Sequence, residues 1–140
     1  MKTLIKTTIL ILIAALCLTS CKKPGCDPGM MSSNYFGTWE VRRVYGGNIN
    51  PPDSVYQPGN GNILQLNPDS TYQRYVQHNL TGQGVYHIIK NGFTDSQVTR
   101  DELFFDADTS TKSIISESMG TLTVSPLIPD IASTDYQRIQ

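Results

Sequence analysis

Residues 62–78 read NILQLNPDSTYQRYVQH. Leu64 and Leu66 alternate with polar neighbours, Pro68-Asp69-Ser70 interrupts, and Tyr72 and Val76 resume at even spacing. In a strand, successive side chains point to opposite faces, so each arm reads as a strand with one face buried and one wet. Pro68 presets φ and Asp69 can accept from the backbone two residues on, which makes the interruption a tight turn. The unit is a β-hairpin, and its pattern repeats on both sides.

Eight such segments follow one another: 38–45, 62–67, 71–78, 84–90, 102–106, 112–117, 121–125 and 134–139. Tyr86 and Ile88, Leu103 and Phe105, and Leu122 and Val124 share faces in the same way, and Met119-Gly120 can turn the chain as Pro68-Asp69-Ser70 does. Beyond Tyr35 no stretch sustains helical spacing of apolar residues, because Gly, Pro, Asn, Asp and Ser interrupt too often. The class is all-β, as an eight-stranded up-and-down antiparallel barrel or, alternatively, a β-sandwich.

The chain has 140 residues. Its start, MKTLIKTTILILIAALCLTSC, places Lys2 and Lys6 before an apolar run at residues 9–18. That run is shorter than the ~20 apolar residues needed to span a bilayer, and it ends on small residues, the form of a cleaved secretory signal. Residues 1–20 are therefore read as a signal peptide. Residues 21–34, CKKPGCDPGMMSSN, are read as a flexible tether and residues 35–140 as the folded domain. Without Lys2 and Lys6, nine basic residues face twelve acidic ones, a formal charge of −3. That balance gives no footprint for nucleic acid, which calls for clustered Lys and Arg.

Leu18-Thr19-Ser20-Cys21 resembles the lipobox of bacterial lipoproteins, in which the cysteine is acylated and becomes the first residue. Gly37-Thr38-Trp39, Leu64-x-Leu66 before Pro68-Asp69-Ser70-Thr71-Tyr72, Gly84-Val85-Tyr86-His87-Ile88, Leu122-Thr123-Val124 and Tyr136-Gln137-Arg138, in that order, look like a lipocalin-like domain of bacterial lipoproteins of the Bacteroidetes type. The resemblance covers residues 35–140. It implies a barrel with one closed and one open end, a Trp39 plug at the closed end, and Arg138 packed over the indole. Acylation of Cys21 implies a membrane anchor and leaves Cys26 without an intrachain partner, since Cys17 departs with the signal. Lys22 and Lys23 would then add about 1 kcal/mol each at an anionic surface, or simply be solvated. Lys22 rather than Asp after the anchor resembles the outer-membrane rule of some enteric lipoproteins, with the face of the membrane open.

In such a barrel the connections at 46–61, 79–83, 107–111 and 126–133 lie at the open mouth. The first, GGNINPPDSVYQPGNG, exceeds the ~12 to 15 residues beyond which an unstructured loop is uncommon and often functional. It carries Val55 and Tyr56, and the last carries Leu127, Ile128 and Ile131, which can cap the barrel or form a binding surface. Tyr is the commonest aromatic, 7 against 4 Phe and 1 Trp. Tyr45, Tyr56, Tyr75 and Tyr86 can line a site for a small apolar or amphipathic ligand or fill the interior, and filling is the simpler expectation. His78 shares the phase of Tyr72 and Val76 near the mouth, while His87 faces outward.

These two histidines do not make a zinc set, which needs three or four converging ligands, so no metal and no cofactor is expected. Asp106-Ala107-Asp108-Thr109-Ser110 with Glu117 imitates a calcium loop, but Thr111 stands where the sharp turn requires Gly, so a polar connection is expected. Asp101 and Glu102 are adjacent, point to opposite faces and read as solvated charges. Asp53-Ser54-Val55 and Asp69-Ser70-Thr71 resemble O-glycosylation acceptors, though turn chemistry accounts for both. No nucleophile elbow, phosphate loop or His-Glu-x-x-His occurs, and no enzymatic activity is expected. Two roles stay open: a lipid-anchored envelope protein binding a small amphiphile at the open end, or a packed barrel acting as an interaction module with another envelope protein.

Overall fold

The computed structural model describes residues 35–140 apart from 49, 51, 52 and 129. The expectations for Cys17, Cys21, Lys22, Lys23 and Cys26, and with them the signal and the tether, lie outside the described residues.

The strands are β1 (Gly37–Tyr45), β2 (Asp53–Val55), β3 (Ile63–Leu66), β4 (Thr71–Val76), β5 (Asn79–Asp95), β6 (Val98–Phe105), β7 (Ser113–Ser118), β8 (Thr121–Pro126) and β9 (Ser133–Arg138). From β3 to β9 each strand pairs antiparallel with the next, and β1 pairs with both β3 and β9. The registers Trp39 to Leu64 on one side and Trp39 to Arg138 on the other close the ring. The molecule is thus a closed eight-stranded up-and-down antiparallel barrel and not a sandwich. β2 stays outside the ring, extending the β3 edge of β1 by pairing with Arg43, Val44 and Tyr45. The long first connection therefore contains a strand, and Asp53-Ser54-Val55 sits in it.

The turns explain the register. Between β3 and β4, Ser70 N donates to Asn67 O and Thr71 N donates to the Asp69 carboxylate, the Asx bond expected of that sequence. Gln77-His78, Ser96-Gln97 and Met119-Gly120 all have positive φ at both residues, the backbone that matches strand twist in two-residue hairpins. Gln77-His78 lacks the usual Asn-Gly signal, which is why 79–83 reads as a loop in the sequence. It is instead the start of β5, a 17-residue strand. His78 accordingly lies in a turn and not on a strand, with its N–H donated to Gly61 O. Gly61 has φ +71, and a Cβ there would come within 2.5 Å of the His78 ring, so both the conformation and the contact call for glycine.

β1 runs from the Trp39 end toward the mouth, and the interior divides along it. At the Trp39 end, Trp39, Leu66, Leu103, Ile115 and Leu122 are fully buried, joined by Tyr35, Leu64, Tyr72, Tyr86 and Ile88. Beyond Val41 a bulge at the β1–β9 register keeps Val44 inward, and the core gives way to open space. Asp101 and Glu102 are not solvated charges: Glu102 is buried and holds Lys112 at 2.8 Å, and Asp101 accepts from Tyr35 at 2.7 Å and from Lys90 at 2.6 Å.

Candidate ligand cavity

The mouth half of the barrel encloses a cavity of ≈ 910 Å³. Val41 and Val44 of β1, Ile63 and Leu64 of β3, Phe105 of β6, Val124 of β8 and Tyr136 of β9 supply its walls, and Tyr56 from the long first connection reaches its rim. β4 contributes Tyr72, Arg74 and Val76, the inward phase of that strand.

Polar groups are interspersed with these walls, Asn62, Arg74, Asp106, Asp108 and Thr134 among them. Asp106 accepts from the Tyr72 hydroxyl at 3.0 Å and from Val85 N at 3.0 Å. Asp108 accepts from Ser110 N at 2.9 Å and from the Ser110 and Thr111 hydroxyls, folding the rim into a single 3-10 turn at Thr109–Thr111. The Ser110 bonds foremost hold the Asp108 carboxyl below its usual range. These two acids are therefore tied to neighbouring chain and do not converge as a calcium loop would require. Burial foremost, then the Asp106 bond and charge, pushes the Tyr72 phenol up, and burial likewise raises that of Tyr136. Both are neutral hydroxyls at physiological pH.

Of the residues expected at the ligand site, Tyr56, Tyr75, Ile128 and Ile131 line this cavity. Ile128 and Ile131 stay exposed at the rim, so they border the mouth without sealing it. Leu127 is not in the lining; its N–H is held by Lys112 O at 3.0 Å, which turns the segment at the end of β8. Tyr45 is also displaced: Arg43 lies over its ring at 4.7 Å and its hydroxyl faces Asp135, so it belongs to the wall around β1 and β9. Tyr86 is buried in the core, its hydroxyl donated to Asn67 O at 2.8 Å and, mainly through burial, its pKa pushed up to about 12. His78 packs against Gly61 in its turn, and His87 stacks on Phe104 at 4.7 Å.

Arg74 is what the sequence reading missed. Its signal was available, since Arg74 sits between Tyr72 and Val76 in the same period-two phase that assigned those two inward. A charged residue at an inward position of a small barrel marks either a buried pair or an open interior.

At the opposite end, Arg138 lies over the Trp39 ring at 4.1 Å and donates to Phe36 O at 2.6 Å. Trp39 Nε1 donates to Tyr35 O at 2.9 Å. Neither Trp39 nor Arg138 is part of the cavity lining. In comparisons with known proteins, no family model, no curated protein and no solved structure matches the chain.

Proposed function

We propose that this protein is a lipocalin-like, lipid-anchored envelope protein that holds a small apolar or amphipathic molecule in the mouth half of its barrel. The observation that carries the reading is the ≈ 910 Å³ cavity, open to solvent, in which Val, Leu, Ile, Phe and Tyr side chains alternate with polar ones such as Asn62, Arg74 and Thr134. Ligand sites of ~300 to 1,000 Å³ with mainly apolar walls and a few placed polar groups are the common form. A barrel built only as a packed module would carry its core through to the mouth. The lipobox-like Leu18-Thr19-Ser20-Cys21 supports the anchor, and the order of motifs from Gly37-Thr38-Trp39 to Tyr136-Gln137-Arg138 supports the lipocalin-like assignment. Lys22 after the anchor favours the outer membrane.

Calorimetric titration of the full chain with dodecanol, using Cys21→Ala so that no acyl group competes, checks the ligand reading. One saturable site is expected, and Val44→Trp, which places a bulky ring in the cavity wall, should weaken it. A folded protein that takes up no dodecanol overturns the proposal.

A further inference from the structure

We infer that the cavity selects an anionic amphiphile, with Arg74 holding the head group; this deepens the ligand reading above and rests on it. Arg74 is the single cation among the described residues that line the cavity. Its guanidinium lies 3.9 Å from the Phe105 ring centroid and 5.4 Å from that of Tyr72. Among the described residues its side chain makes no hydrogen bond and no ion pair. Arg42, Arg43, Lys90 and Lys112 differ, each holding a carboxylate.

Two aromatic rings fix the position of the guanidinium without using its N–H donors, because a cation over a ring is held by the quadrupole of the face. Arg74 is exposed, so its donors face the water of the open cavity and are available to an acceptor that arrives there. A planar fork of donors fits a carboxylate through two parallel bonds, which a point-like ammonium cannot do. Neither acid of the lining is bonded to the guanidinium. Asp106 is bound by Tyr72 and Val85, and Asp108 by Ser110 and Thr111. The Val44, Val124 and Phe105 walls then suit the tail, giving a ligand with a charged head beside β4 and an apolar body along the barrel.

The test compares dodecanoate, dodecanol and dodecyltrimethylammonium, each below its micellar concentration, on the same full chain by calorimetry. Dodecanoate is expected to bind about tenfold or more tightly than dodecanol, as a charge-assisted fork contact implies. Arg74→Met should bring the two to parity, and Arg74→Lys should keep part of the preference. Equal affinity in the wild type, a preference that survives Arg74→Met, or tighter binding of the cationic amphiphile overturns the inference while the cavity reading stands. Loss of dodecanol binding in the wild type overturns both.

Discussion

Gly37, Trp39 and Arg138 form one unit. Gly37 adopts φ +140, and a Cβ there would meet Arg138 Nη1 at 2.7 Å and Gln140 O at 2.8 Å. Glycine is thus required where the last strand's arginine crosses over to reach Phe36 O and the indole. The Gly-x-Trp spacing and the distant Arg138 were both legible in the sequence, although only the folded chain explains the glycine. Removing the indole leaves a cavity among fully buried neighbours, so Trp39→Ala should lower stability by about 3–5 kcal/mol. Arg138→Met should cost less, and a Trp39/Arg138 double-mutant cycle by chemical denaturation should return a coupling of about 0.5–2 kcal/mol. An unchanged melting curve for Trp39→Ala would sink the structural role assigned to this ring.

Among elements, the end of the long first connection is tied to β1 by a buried carboxylate. Glu40 is buried on β1 and accepts from Gly59 N at 3.0 Å and Gly61 N at 3.1 Å, with Arg42 as its ion-pair partner. Burial pushes its carboxyl up, but the bonds from Gly59, Arg42 and Gly61 outweigh it and leave the pKa below the usual glutamate value of 4.5. A depressed pKa gives stability that is present above the unfolded value and disappears as pH falls through the folded one. Glu40→Gln should therefore melt below wild type near neutral pH, with a loss of about 1.5–3 kcal/mol. The gap should begin to narrow as pH drops below about 4.5 and close once pH has fallen through the lower pKa of the folded state, where the wild-type residue is also neutral. A gap independent of pH between 7 and 3 would contradict the assignment. Nothing in the sequence pointed to Glu40 as an anchor, since its partners are backbone groups some twenty residues away. The hairpin at 62–76, by contrast, was readable from alternation and Asx chemistry alone. β5 was read too short because positive φ at Gln77 and His78 is imposed by the pairing around them and not by residue type.

As a whole molecule, the barrel is a filled half joined to an open half. Period-two alternation gives the inward face of every strand, but it carries no information on which inward side chains meet across the interior. That is why the Trp39-end core was recoverable while Tyr86 stayed open between ligand wall and core filling and Arg74 was passed over. The proposed anchor would act at this scale too. Cys21→Ala should move the protein from the membrane fraction to the soluble fraction with its melting temperature unchanged, read by fractionation and immunoblotting. If the variant still sediments with membranes, the anchor lies elsewhere.

Ring closure between β1 and β9 brings residues 35–38 beside residues 138–140, through Arg138 to Phe36 O and Thr38 N to Gln140 O. Both segments emerge at the Trp39 end, opposite the mouth. Any segment that precedes Tyr35 therefore joins the barrel at its sealed base, beside the last residues, and the mouth stays clear of both termini.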